Sequence, residues 1–496
     1  DTLSTNFYFY VQIMAEDDYL LPEAVIFPWP SREHFVYEFL AIDITDELRS
    51  QAQRNLANEI LSDMRHTVPA DGTETSNLEI RTAAKDFQYS GQYKPQNILN
   101  PLAWKKFIES WRNDDADAWN EKIIPAFNAQ HPDIEVVFQA TIPAQYSASI
   151  SAKLEGGNAG DLITLIPFDA SLKLFNRGWL ASLNDLDGLE NYPQVAKDAW
   201  STDDQSNIFG VPMASVSHGF MYNVEIFEEL GLSVPKTESE FFSVLKKIKD
   251  DGNYIPLAIG TADTWAISTM GFQNIGPNYW AGEKGRKGIL TGDEKFTDLH
   301  YVSLFTTLAK WGDYMADGYQ AQTYPDSQNL FTLGDAAIYP TGSWEIFTFS
   351  QNADFEFSAF APPTRDGQND CYIDDHTDIG IGLNSKAKNP AEAKVFLEWL
   401  TGADFAEIFA NEIPGFFPLH SHSISVNDPV AKEFISWKDT CDTTIRNSYH
   451  IVGRGEPNLE SVLYEVVSGV VNGTVTPTEA AQRAEASLAN WYEPHQ

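Results

Sequence analysis

The 496-residue chain is short of cysteine, of basic residues and of long apolar runs, and each shortage narrows what it can be. There are two cysteines, Cys371 and Cys441, with no Cys-x-x-Cys pair, so no cysteine-based zinc site is expected. Few thiols suit an oxidising compartment. The two can form one bridge or stay as buried free thiols, because sequence spacing does not give the geometry a disulfide requires. Lys and Arg together number 33 against 71 Asp and Glu, a formal net charge of -38. Such a chain repels phosphate backbones and anionic surfaces, which argues against nucleic-acid binding and polyanionic substrates. The acidic excess reads as a solvated surface adapted to salt. No run of about 18 apolar residues occurs, so no transmembrane helix is expected. No signal peptide is visible, and Asp1 in place of an initiator Met reads as a mature or trimmed chain.

What is present is a hydrophobic fraction of 43%, with 13 Trp, 20 Tyr and 31 Phe, enough for sizeable cores. The length suggests roughly two to four domains. Residues 1–103 differ from the remainder. Asn6–Met14 is aromatic and β-branched and predicts a strand. Pro22, Pro28 and Pro30 punctuate the next segment, Val36–Ile44 predicts another strand, and Thr45–His66 predicts a capped helix. Val68–Asn77 reads as a loop and Ala83–Asn100 as a linker. This extension is expected to be α+β; a small domain, a docking arm and a wrap on the main body all remain open for it.

From Phe107 strands and helices alternate, which argues an α/β architecture. Ile108–Gln139 predicts strand, polar loop, helix and strand: Trp119, Ile123, Ile124 and Phe127 share a helical face, and Ile134, Val136 and Phe138 alternate. Further strands are predicted at Asp161–Ile166, Phe209–Val216, Ile255–Ile259, Ala336–Tyr339 and Ile379–Leu383. Helices are predicted at Tyr146–Leu154, from Ala170 to Gly178, at Glu225–Leu230, Glu238–Asp250, His300–Met315 and Pro390–Leu400, with Ser343 capping another.

Several blocks in fixed order resemble the extracellular solute-binding proteins of ABC sugar importers, the group similar to maltose-binding protein. They are IIPAFNAQHPDIEV, KLEGGNAGDLITL, GVPMASVSHGFMYNVEIFEELGLSVPKTESEFFSVLKKI, LFTLGDAAIYPTGSWEI, DIGIGLNSKAKNPAEAKVFLEWL and VVNGTVTPTEAAQRAEASLANWY. The resemblance covers about residues 104–496. It implies two α/β lobes joined by a hinge of crossing strands, with residues 104–215 and 376–430 in one and 216–375 and 431–496 in the other. Both cysteines then fall in or near the second lobe, which favours a bridge between Cys371 and Cys441. The implied function is capture of a neutral mono- or oligosaccharide in the interlobe cleft and delivery to an ABC permease, in a periplasmic or surface-tethered protein. A different class stays open: a sugar-sensing ectodomain of a membrane receptor, with residues 1–103 docking to a partner.

Sugars present hydroxyls at their edges and apolar C–H faces, so a site needs aromatic plates, carboxylates and amides. Trp344, in Gly342-Ser343-Trp344-Glu345, is the first stacking candidate, with core packing as its bland reading; Trp265 is the second. In the first loop Trp111, Arg112, Asn113 and Asp114 are candidates for bonding hydroxyls, or Asp114 merely caps the helix. Asp169 follows the third strand and either faces the cleft or caps. Gln145 can reach ligand from a helix whose Tyr146 is a core residue. Ser215 and Ser217 lie at the first crossing, and Asp375, His376 and Asp378 precede the return strand. The spacing of that acidic trio around a His matches no standard metal motif, and neither metal nor cofactor is expected. Phe416, beside Phe417, closes over ligand or packs. Arg446 and Arg454 are rare cations that pair with carboxylates or reach a ligand oxygen. No Gly-x-Ser-x-Gly, His-Glu-x-x-His or P-loop pattern occurs, and carboxylate pairs arise by chance in so acidic a chain, so no catalysis is expected.

Overall fold

The computed structural model of the protein describes residues 7–14, 20–27, 106–110, 116–141 and 143–496. The chain forms two units, Asp1–Trp104 and Lys105–Gln496. In the first, strands β1 (Phe7–Met14) and β2 (Leu20–Phe27) pair antiparallel, Phe7 opposite Phe27 and Met14 opposite Leu20. The expected strand over Asn6–Met14 is there. Pro22, read from sequence as punctuation, instead lies inside β2 opposite Gln12, a position an edge strand tolerates. The predicted Val36–Ile44 strand, the Thr45–His66 helix, the Val68–Asn77 loop and the Ala83–Asn100 linker lie outside the described residues.

The second unit carries β3 (Lys106–Ser110), β4 (Val136–Ala140), β5 (Leu162–Leu165), β6 (Val211–Asn223), β7 (Ile255–Leu257), β8 (Ala336–Gly342), β9 (Phe357–Phe360), β10 (Tyr372–Leu383), β11 (Phe417–Pro418) and β12 (Asp442–Thr444). The main path runs β4-β3-β5-β10-β6-β8-β7, with β9 and β11 on β6 and β12 on β10. Parallel β4, β3 and β5 form one end of the path, and parallel β7 and β8 the other. Helices cover both, giving the two-lobed α/β fold. The long strands β6 and β10 join the lobes. Val211–Ser217 of β6 pair with β10, and His218–Tyr222 pair with β8. Sequence ends this strand at Val216, because Ser217 and His218 interrupt the apolar run. In the structure nearly every residue of β6 is buried, and paired neighbours on both sides satisfy its backbone, so polar side chains do not end it.

Local chemistry explains the helices. The first shows a wide turn at Trp119–Ile123 and continues through Ile124–Gln130. Trp119, Ile123, Ile124 and Phe127 are all buried, and each such side chain contributes about 1.5–3 kcal/mol relative to exposure. Trp119 stacks on Phe138 of β4 at 5.0 Å. Helix Glu238–Asp251 opens on a capping box of Thr237 and Glu240 and ends at Gly252 in the left-handed region. The C-terminal pair, Leu459–Val471 and Pro477–Ala489, is capped by Asn458 and Thr476. Ser343 departs from expectation. It caps no helix; its hydroxyl accepts from the Ser217 amide at 3.1 Å and donates to the Gly415 carbonyl at 2.5 Å. The crossing strands claim it first.

Cys371 and Cys441 are joined by a disulfide, with Cα atoms 4.5 Å apart. It ties the start of β10 to the start of β12, just where Tyr372 pairs with Asp442. The bridge closes a loop spanning a sequence separation of 70, for which restriction of the unfolded chain gives about 4 kcal/mol. The double variant Cys371→Ser/Cys441→Ser is therefore expected to unfold at a clearly lower temperature than the oxidised protein in calorimetry. Equal midpoints would show that the bridge contributes nothing to stability.

Candidate ligand-binding site

A cavity of about 580 Å³ opens where the two lobes face each other. Its walls come from four stretches: the turn after β5 with Phe168 and Asp169, the 195–205 segment, the start of helix Glu283–Thr291, and the 443–454 segment that begins in β12. Ser215 of β6, Asp375 and Thr377 of β10, and Leu419 just after β11 add to the lining. Three lining residues other than glycine adopt positive φ: Phe168 at 60°, Gln205 at 56° and His450 at 59°. That conformation is costly for such side chains and gathers at functional sites.

Two arginines organise the walls. Arg454 forks onto Asp203, with bonds of 2.8 and 2.7 Å, and donates from Nε to Asp169 at 2.6 Å. It thereby links the C-terminal segment to two segments of the opposite lobe. The Arg454 bonds hold the Asp203 carboxyl below the usual carboxylate range. Arg286 makes a second fork onto Glu283, at 2.6 and 2.7 Å, and Thr444 donates to the same carboxylate at 3.0 Å. Burial pushes Glu283 up, but the bonds from Arg286 and Thr444 outweigh it and its pKa is lowered. Burial pushes the His450 imidazole down. Three buried polar atoms of lining residues have no hydrogen-bond partner among the described residues: the acceptor Asp169 Oδ2, the donor Arg286 Nη1 and the Thr377 hydroxyl. Hydroxyls of Ser201, Thr202, Ser215, Thr377 and Thr443 also lie in the lining, with Phe168 as its aromatic surface.

Of the residues singled out from sequence, Asp169, Ser215, Asp375 and Arg454 line this cavity. Trp111, Arg112, Asn113 and Asp114 lie outside the described residues. Gln145 sits in helix Pro143–Gly156. Trp344 and Trp265 are not in the cavity lining. The Trp344 indole N–H donates to the Tyr324 hydroxyl at 3.1 Å, and Trp265 packs on Tyr324 with ring centroids 4.8 Å apart. Gly342 makes room for the indole of Trp344 itself, which a β-carbon there would strike. Ser217 donates to Asp375 at 2.6 Å, and Lys438 pairs with the same carboxylate. His376 is fully buried against Asp374, with Asp378 at 3.7 Å on its other side. Phe416 is fully buried and packs on Phe409. Arg446 is half-buried over the Tyr449 ring at 5.2 Å. Sequence reading missed Asp203, Glu283, Arg286, Thr444 and His450. The one signal for them was the scarcity of cations, which had drawn notice to Arg454 and applies equally to Arg286.

Comparison with known proteins agrees with this architecture. The family model of bacterial extracellular solute-binding proteins matches residues 111–407. A multiple sugar-binding protein of Streptococcus mutans is 24% identical over 303 residues, 58% of this chain and 69% of the relative. An uncharacterized extracellular-binding protein of an ABC transporter from Pyrococcus horikoshii is 26% identical over 246 residues, 48% of this chain and 56% of the relative. Among solved structures, RafE in complex with raffinose superposes with a TM-score of 0.64 at 18% identity, covering 78% of this chain and 99% of that one. A sugar transporter of Bacillus licheniformis in complex with stachyose gives 0.61 at 15% identity, with coverages of 77% and 98%. At these identities the likeness is one of fold.

The Arg454 fork sets an acid limit. A carboxyl whose folded pKa is depressed contributes stability above its unfolded value, and that contribution is lost as pH falls through the folded one. For Asp203 the window lies below about pH 4, and solvent exposure keeps the effect under about 1 kcal/mol. The variant Arg454→Ala is expected to show a shallower fall of melting temperature below that pH than the wild type. Parallel acid limbs in the two proteins would rule the fork out as a source of acid sensitivity.

Proposed function

The chain belongs to the family of bacterial extracellular solute-binding proteins, and on that premise we propose that it captures a neutral mono- or oligosaccharide in the interlobe cavity and hands it to an ABC permease. The observation that carries the reading is that the lining holds an unpartnered buried acceptor, Asp169 Oδ2, and an unpartnered buried donor, Arg286 Nη1, beside the Thr377 hydroxyl. One accepts and the other donates, and a sugar hydroxyl can do both. The hydroxyl-bearing side chains of the lining add neutral partners for further hydroxyls, and Phe168 offers an apolar face. Both arginines already carry bound carboxylates, so a neutral ligand suits the lining better than an anionic one. Relatives named for sugar binding and sugar complexes of the same fold support the substrate class.

The lobes would swing about β6 and β10, and a ligand touching both walls would favour the closed arrangement. The family is extracellular, and no helix among the described residues is long and apolar enough to cross a membrane. A lipid or protein tether belongs with this proposal, as does the absence of catalysis. The sensing alternative would call on residues 1–103, which fall outside the family match.

Titration calorimetry against neutral saccharides from galactose to stachyose is expected to give one site. Asp169→Asn is expected to weaken it by about 10- to 100-fold, the range for loss of one charged hydrogen bond. Absence of binding across the panel would overturn the sugar reading. An unchanged affinity in Asp169→Asn would move the site away from this cavity.

A further inference from the structure

Behind the cavity, polar side chains of β6 and β10 gather in the interior without serving it. His218, Asp374 and His376 are each 0% exposed. Asp374 and His376 alternate on one face of β10, and His218 lies on the matching face of β6, two residues past Val216, which pairs with His376. His376 Nδ1 lies 2.8 Å from Asp374 Oδ1, and His218 Nε2 lies 4.0 Å from Asp374 Oδ2. The two imidazole centroids are 5.1 Å apart. One donor atom from each of the three residues falls within 4.8 Å of the others. Aromatic rings wall the group, Trp344 edge-on to His218 and Tyr449 edge-on to His376.

This group is poorly satisfied as it stands. Neither ring nitrogen of His218 makes a hydrogen bond of good geometry, although the Thr269 backbone lies beside the ring. Asp374 Oδ2 has no hydrogen-bond partner among the described residues, and His376 Nε2 has Asp378 no nearer than 3.7 Å. Buried polar atoms left this way are costly, and in native proteins each demands an explanation. We propose that His218, Asp374 and His376 form a site for a divalent transition-metal ion of the zinc class.

Two imidazoles and one carboxylate are a ligand set that zinc and its neighbours accept, whereas calcium and magnesium call for oxygen ligands. Three protein ligands leave a fourth position for water. The group a cation must contend with is the half-buried Arg446, and the half-buried Glu460 and the nearby Asp378 supply opposing charge. The ion would bond β6 to β10 at the point where both change partners. It would be a structural staple at the hinge, separate from the sugar cavity. Reading the Asp375–Asp378 segment alone gave no metal motif, because His218 comes from a strand far away in sequence.

The test uses the full chain, unfolded with chelator and refolded with ZnCl₂ or CoCl₂, then freed of loose metal by gel filtration. One metal per chain is expected, with visible cobalt absorption and a melting temperature several degrees above the metal-free protein. His218→Gln and His376→Gln are expected to lose the metal, while His300→Gln, at the half-buried pair with Glu294, keeps it. No retained metal in the wild type, or equal retention in His218→Gln and His376→Gln, overturns the site. If those variants do not fold, the copper-loaded wild type decides. Its electron paramagnetic resonance spectrum is expected to show coupling to two nitrogens, and a spectrum with fewer overturns the assignment.

Discussion

Strands β6 and β10 have to satisfy their backbones in two lobes at once, and the placement of every other element follows from that demand. β6 gives its first half to β10 and its second half to β8 and β9. β10 gives its start to β12 and its end to β5 and β6. An interior strand cannot leave its amides unpaired, so neither lobe can part from the other without breaking the ladder. What the ladder does allow is bending. The register between β10 and β6 shifts around Ile379, and such irregularities turn strands locally. Close packing holds the rest: at Gly380 a β-carbon would come within 2.5 Å of the Trp200 ring.

The fold was legible where one face of an element carries the signal. Helix Pro390–Leu400 has the predicted limits because proline opens it and Ala393, Phe396, Leu397 and Leu400 repeat on one side. The crossing strands were legible only in part. A strand buried on both faces shows no alternation, and the polar Ser217 and His218 inside β6 look like its end. The cavity was legible least. Its lining comes from stretches hundreds of residues apart, and nothing in local pattern tells that Arg454 meets Asp203 or that Thr444 meets Glu283. Asp169 was found because it follows a strand whose loop the resemblance places at the cleft. Trp344 and Trp265 show the opposite case, since neither lines this cavity. Aromatic composition suggested plates for a sugar; Trp344 donates its N–H to the Tyr324 hydroxyl and Trp265 packs on the Tyr324 ring.

Charge shows the same contrast between composition and place. The chain carries more than twice as many acidic as basic residues, yet two arginines stand in one cavity, each in a two-pronged bond with a carboxylate. Planar guanidinium groups suit this geometry in a way that lysine does not. They turn the acidic groups of the walls into fixed, neutralised surfaces, so the global charge of the protein says little about the ligand it would receive.

The Arg454 bond to Asp169 has one more consequence, for the cost of capture. Arg454 holds Oδ1 and leaves Oδ2 open, so a sugar hydroxyl would meet a carboxylate already fixed in direction. Little side-chain freedom would be lost when the cargo arrives.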